Sequence, residues 1–308
     1  MTSAKFYILS SLCLILFSCE KKMTEQEVVR IGQFKSKKLA PYTKLAGFDT
    51  KQIALSTNEL NITGLALVQY RRDEKDSIKH KIWQHPSWKK MGHMGSITTD
   101  ENGTAYTAPI PVINTLDRNL SNINTIYYVD DNSGELKTLI NLPKPDSVAS
   151  VVPFGVLGLY YDEHGHKLYA SSVAGSTKEK EKGVIYVIDI QKKEIVDKLE
   201  GIDSFGLLVA GYTGEKRLYF GSARTPTIQS IELSKNGEFI GEPRQEINLA
   251  TLGPRGNDKA RRIRIDKLGN IFVFGVDFNF SLAAQTIKPE TIYQFSFNNE
   301  SDKWVFLQ

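Results

Sequence analysis

Cysteine is nearly absent from this chain of 308 residues: there are two, Cys13 and Cys19. Cys13 lies inside an apolar run near the N-terminus, and a chain trimmed after that run keeps Cys19 alone. An intrachain disulfide is then excluded, so the fold must be held by its core rather than by staples. Long apolar runs are missing as well. The stretch from Phe6 to Phe17, broken by Ser10 and Ser11, is about twelve residues, against the roughly 20 that a spanning helix needs. Charge of one sign is not in excess. There are 39 Lys and Arg against 35 Asp and Glu, a net +4, and both signs are dispersed, which argues against nucleic acid as a partner. The chain has no Gly-x-Ser-x-Gly elbow, no glycine-rich phosphate loop and no haem-attachment motif. Those absences remove the usual signatures of a serine hydrolase, a nucleotide site and a c-type haem, and no cofactor is expected. From Pro41 onward no stretch of ten or more residues repeats its apolar positions at the helical period.

What is present begins at the N-terminus. Lys5 supplies one positive charge ahead of the apolar run, and small residues follow it. That order describes a secretory signal peptide. Its exit, Leu16-Phe17-Ser18-Cys19, resembles the bacterial lipobox, with Phe17 bulkier than the usual residue there. The resemblance implies that Cys19 takes a diacylglyceryl group and becomes the first residue of the mature chain. Several acyl chains anchor firmly where one binds marginally. The expected location is therefore the bacterial cell envelope, lipid-anchored, at an outer membrane on its periplasmic or surface-facing side. Residues 19–38 are polar and read as a tether, although Thr24 and Glu27 have the spacing of a capping box for one short helix. The organisation expected is a signal peptide over 1–18, a lipidated tether over 19–38 and one folded domain over 39–308.

That domain is built from repeats. Four segments share a turn followed by an aromatic strand: Ser96 to Ala108, Gly158 to Ser171, Val209 to Gly221 and Ile263 to Gly275. Three reach the turn through an aspartate, at Asp100, Asp162 and Asp266, and all four return as a strand carrying Tyr106, Tyr169, Tyr219 or Phe272. These aromatics are spaced 63, 50 and 53 residues apart. A second hairpin follows each, as in Thr125 to Ile140 and Gly183 to Leu199. Four strands in a unit of about 50 residues is the arithmetic of a propeller blade. A less regular unit fits between Tyr42 and Trp88. The fold class predicted is all-β, a β-propeller of four-stranded antiparallel blades, five or six in number, with the repeated aromatics in its core.

The phrase Asp266-Lys-Leu-Gly-Asn-Ile-Phe-Val273, like Tyr161-Asp-Glu-His-Gly-His-Lys-Leu-Tyr-Ala170, resembles the blade signature of the NHL-repeat and gluconolactonase-like propellers. Gluconolactonase-like members are calcium- or zinc-dependent hydrolases, with a Glu, an Asn and an Asp in the central channel. Aligned on the two phrases, the family's Asp falls on Arg261 and its Asn on Leu157. Neither offers the oxygen a hard cation needs, so no metal is expected at those positions.

Three candidate sites remain. The first is the basic stretch Gly253 to Asp266, with Arg255, Arg261, Arg262 and Arg264. Arg262 and Arg264 alternate with isoleucines, so a strand puts both on one face. Guanidinium groups beside a propeller channel suit a carboxylate, a phosphate or an acidic sugar. The alternative is that they pair with acidic residues of neighbouring blades or lie on the outer face. The second is Trp83, His85, Trp88, Met91, His93 and Met94, a set that suits copper(I) but reads better as core. The third is His164 and His166 beside Gly165, better read as a solvated turn. The expected function is thus a non-catalytic binding or scaffold module for a protein, a glycan or a small acidic ligand, held to the membrane by its lipid and monomeric. The alternative is a metal-dependent lactonase or esterase with a rearranged site.

Overall fold

The computed structural model describes residues 38–49, 52–57, 62–72, 78–110, 122–143, 154–212, 214–280 and 289–307. The expected signal peptide, Cys19 and the expected tether as far as residue 37 lie outside the described residues.

Among the described residues, nineteen strands form five antiparallel sheets. The first blade holds β1 (Ile53–Ser56), β2 (Ala66–Arg72) and β3 (Ile78–Trp83), three strands among the described residues. The second holds β4 (Met94–Thr99), β5 (Ala105–Pro109), β6 (Thr125–Val129) and β7 (Leu136–Asn141). The third holds β8 (Val156–Asp162), β9 (Lys167–Ser172), β10 (Val184–Asp189) and β11 (Glu194–Glu200). The fourth holds β12 (Ser204–Tyr212), β13 (Glu215–Ser222), β14 (Thr227–Leu233) and β15 (Phe239–Asn248). The last holds β16 (Lys259–Ile265), β17 (Ile271–Val276), β18 (Thr291–Asn298) and β19 (Lys303–Phe306). Each sheet runs in sequence order, so each blade is a meander. The first strands β4, β8, β12 and β16 pack side by side in succession. This is a five-bladed β-propeller, and the only helices among the described residues are two short 3₁₀ turns, Pro41–Ala46 and Pro86–Met91.

The aspartates make the blade turns. Asp100 Oδ1 accepts from the amides of Asn102 and Thr104 at 2.9 Å each, and Asp266 Oδ1 accepts from Leu268 at 2.8 Å and Asn270 at 2.9 Å. Asp162 accepts from His164 and Gly165 at 3.1 and 3.0 Å. Each carboxylate replaces the ladder partner that the reversing backbone loses.

The core lies between blades. Tyr106, Ile126, Leu159 and Leu168 join the second blade to the third. Tyr169, Ile185, Leu207 and Phe220 join the third to the fourth, and Leu208, Tyr219, Ile263 and Ile271 join the fourth to the fifth. Leu65, Leu67, Trp88, Met94 and Tyr127 join the first to the second. Among the described residues, no such cluster joins the last blade to the first.

Candidate functional site

The repeated aromatics fix a common frame for the four regular blades. Thr98, Tyr160, Leu208 and Arg264 stand directly opposite Tyr106, Tyr169, Tyr219 and Phe272. In the second, third and fourth blades that pair reaches the following blade. Thr98 Oγ1 accepts from Tyr161 N at 3.3 Å, Tyr160 donates to Val209 O at 3.4 Å, and Leu208 packs with Ile263. Two residues earlier on each first strand come Ser96, Gly158, Gly206 and Arg262. Ser96 Oγ donates to Leu157 O of the next blade. A Cβ on Gly158 would meet Phe205 O at 1.9 Å, and one on Gly206 would meet the Arg262 backbone at 2.9 Å. Glycine there lets neighbouring first strands approach. The last blade has arginine at both positions.

The arginines project from β16. Its burial runs buried at Lys259 and Ala260, exposed at Arg261 and Arg262, buried at Ile263 and exposed at Arg264. The ladder slips between Ala260 and Arg262. That bulge takes Arg261 out of the alternation and leaves two successive arginines exposed. Ile263 faces the fourth blade, so Arg262 and Arg264 share the opposite face. Across the sheet, Arg262 stands opposite Phe274, itself opposite Ile292, while Arg264 stands opposite Phe272, itself opposite Gln294. Both guanidinium groups lie over the Phe274 ring, at 4.0 Å for Arg262 and 5.6 Å for Arg264. One carboxylate, Glu290, answers them, 3.1 Å from Arg262 and 3.5 Å from Arg261. Among the described residues no acidic side chain pairs with Arg264. Burial and the charges of Arg264 and Arg261 pull the Arg262 guanidinium below its ordinary value, with Glu290 opposing them. Three cations against one anion, two of them stacked on a ring, form a surface suited to anionic groups.

Arg255 is placed elsewhere. Its Nε pairs with Asp258, and Nη2 donates to Asp258 Oδ2 at 2.9 Å, Thr291 Oγ1 at 2.8 Å and Gly275 O at 3.1 Å, while Nη1 donates to Pro289 O at 3.1 Å. It binds the loop before β16 to β17 and β18. Burial pushes the Asp258 carboxyl up, and hydrogen bonds from Arg255, Tyr293 and Thr291 outweigh it, holding the carboxyl below its usual value.

The Trp, His and Met set is mostly core. Trp88 is fully buried, edge-on to Trp83 at 5.2 Å, and donates from Nε1 to Gly134 O at 2.8 Å. Met94 is buried beside it, and His85 caps the 3₁₀ turn by accepting from Ser87 N. His166 sits on the β8–β9 turn with Nδ1 3.4 Å from Glu101 Oε1 and 3.2 Å from the Tyr161 hydroxyl. Leu157 packs near Phe154, Phe205 and Phe280, and Arg261 is exposed. Among the described residues no group of three or more His, Cys, Asp or Glu is placed to hold a metal. A separate cavity of about 290 Å³ lies between Lys38–Thr43, β1 and β4, walled by Ile53, Leu55, Leu67 and Ile97. It gathers no cluster of charged groups.

The sequence missed the partners of the arginines. Phe272 has the same place in its repeat as three buried tyrosines, yet it is only partly buried. The available signal was Arg262, a long cation where two other repeats have glycine.

No protein-family model matches the sequence, and no curated protein matches it. Among solved structures it is similar to a functionally unknown protein from Desulfotomaculum acetoxidans DSM 771, with 13% identity and a TM-score of 0.42 over 83% of this chain and 66% of that one. It is also similar to the PQQ-bound form of aldose sugar dehydrogenase from Streptomyces coelicolor, at 13% and 0.42 over 85% and 81% of the two chains. A third is an auxiliary nutrient binding protein from Bacteroides ovatus ATCC 8483, at 12% and 0.39 over 79% and 51%. The chain thus spans just under two thirds of the first of these and about half of the third. Likeness at this level carries no functional information.

Proposed function

We propose that this chain is a lipid-anchored lipoprotein of the bacterial envelope whose propeller is a non-catalytic module that binds an acidic ligand through Arg261, Arg262 and Arg264. The observation that carries the binding half is the set of three exposed guanidinium groups answered by the single carboxylate of Glu290. Arg255 serves the same site by fixing the loop that leads into β16. The anchor rests on the leader and on Leu16-Phe17-Ser18-Cys19. A membrane-held disc presenting a cationic face suits capture of an anionic small molecule, glycan or protein surface in the envelope.

Two experiments test the halves separately. Cys19→Ala should move the protein from the membrane fraction to the soluble one; continued membrane association rejects the anchor. The soluble Cys19→Ala chain should bind succinate, galacturonate or inorganic phosphate saturably, more weakly as salt rises. Arg262→Ala with Arg264→Ala should abolish that binding, and unchanged affinity rejects the site. Turnover of a lactone or ester panel by the purified chain overturns the non-catalytic reading.

A further inference from the structure

The face that carries the arginines is not uniformly cationic. From β16 outward it passes from Arg262 and Arg264 to Phe274 and Phe272 on β17, then to Ile292 on β18 and Val305 on β19, which is registered opposite Ser296. Ile292 is 54% exposed and Val305 44%. In the three preceding blades the same face is closed by the next blade, whose side chains bury Tyr106, Tyr169 and Tyr219. The last blade retains the apolar residues of a closed seam but has arginine where close approach requires a glycine or a small residue. Its apolar strip is therefore left partly open beside three cations that share one carboxylate, Glu290, among the described residues.

We infer that this face binds a free carboxylic acid carrying an apolar body, the carboxylate on Arg262 and Arg264 and the body lying across Phe272, Phe274 and Ile292. The inference rests on the proposed anion site and adds the class of ligand. Charge complementarity fixes the headgroup: stacking on Phe274 leaves the guanidinium edges to hold a planar carboxylate, Arg264 with no acidic partner among the described residues and Arg262 with the N–H groups that its Nη2 bond to Glu290 does not use. The strip fixes the rest. Strands lie about 4.8 Å apart, so Ile292 is two strands, about 10 Å, from Arg262. A compact inorganic anion touches the cations alone and leaves that strip wet. A sugar acid puts hydroxyl groups against it and strips them of water without hydrogen bonds in return. An aliphatic or aryl chain of that length covers it at a gain of about fourfold in affinity for each methylene fully buried.

The test uses the soluble Cys19→Ala chain and a series from acetate through butyrate and hexanoate to octanoate, with 3-phenylpropionate and galacturonate alongside, titrated by NMR. Octanoate is expected to bind at least tenfold tighter than acetate, and 3-phenylpropionate tighter than galacturonate. Ile292→Asn, at a position too exposed to empty the core, should flatten the series while leaving acetate affinity within twofold. Arg262→Ala with Arg264→Ala should remove binding of every member. A flat series in the parent chain, galacturonate binding tighter than octanoate, or a steep series untouched by Ile292→Asn each overturns the inference while leaving the anion site standing. Failure of every carboxylate to bind overturns both.

Discussion

Asp203 and Asp258 show how single residues hold the open end of the blades. Each immediately precedes the first strand of its blade, and each is fully buried. Arg224 Nε donates to Asp203 Oδ2 at 2.6 Å, and Arg255 grips Asp258 with two nitrogens. A buried charge is tolerated only when paired and hydrogen-bonded, and removing one partner strands the other. Asp258→Ala should therefore destabilise the domain by about 3–5 kcal/mol in urea unfolding, and Asp258→Leu with Arg255→Leu should recover much of that loss. The pH dependence has a definite sign. The Asp258 carboxyl is held below its usual 3.8, so its stabilisation is present above that value and is lost as pH falls through the lower folded-state value. Asp258→Ala should correspondingly flatten the acid limb of the stability curve.

At the scale of the element, the returning strand of each blade tests whether a seam is closed. Tyr219 and Phe272 occupy equivalent places, opposite Leu208 and Arg264. Tyr219 is 1% exposed within the cluster that joins the fourth and fifth blades. Truncating a buried aromatic leaves a cavity, so Tyr219→Ala should cost about 3–5 kcal/mol. Phe272→Ala removes a ring that is only partly buried and should cost less, about 1–2 kcal/mol. Equal losses at the two positions, read by denaturant midpoints, show that the last blade is as tightly covered as the others. The first strands carry the complementary signal. Gly158→Ala forces a Cβ to within 1.9 Å of Phe205 O, and the resulting strand shift should cost about 3 kcal/mol.

At the scale of the whole molecule, tyrosine unites the blades and makes the propeller sensitive to alkali. Burial pushes the hydroxyls of Tyr42, Tyr106, Tyr160, Tyr161, Tyr169, Tyr212 and Tyr219 above the usual 10.0, and burial with the Asp258 hydrogen bond raises Tyr293 to about 12. Between 10 and those higher values the unfolded chain ionises and the folded one does not, so stability falls as pH rises above 10. Tyrosinate absorbance should therefore appear together with loss of the strand signal in circular dichroism, as one cooperative step. Gradual ionisation with the sheets intact contradicts this.

Much of this architecture was legible in the chain itself, because a blade is a local object. Asp100, Asp162 and Asp266 announce their turns through short-range hydrogen bonds, and the spacing of Tyr106, Tyr169, Tyr219 and Phe272 counts the regular blades. The alternation Arg262-Ile263-Arg264 placed both arginines on one face through the two-residue period of a strand, while which face that is came only from the packing of Ile263 against the fourth blade. The proposed leader and lipid anchor at Cys19 rest on sequence alone. Only the tertiary structure decided that there are five blades rather than six, and that Arg255 is bound to Asp258 while Arg261, Arg262 and Arg264 stay exposed. It alone showed that Phe272, identical in pattern to three buried tyrosines, is only partly buried. The physical reason is that burial of a blade face depends on what the next blade brings to it. That partner is remote in sequence, and at the seam between the last blade and the first no apolar cluster among the described residues fills the gap.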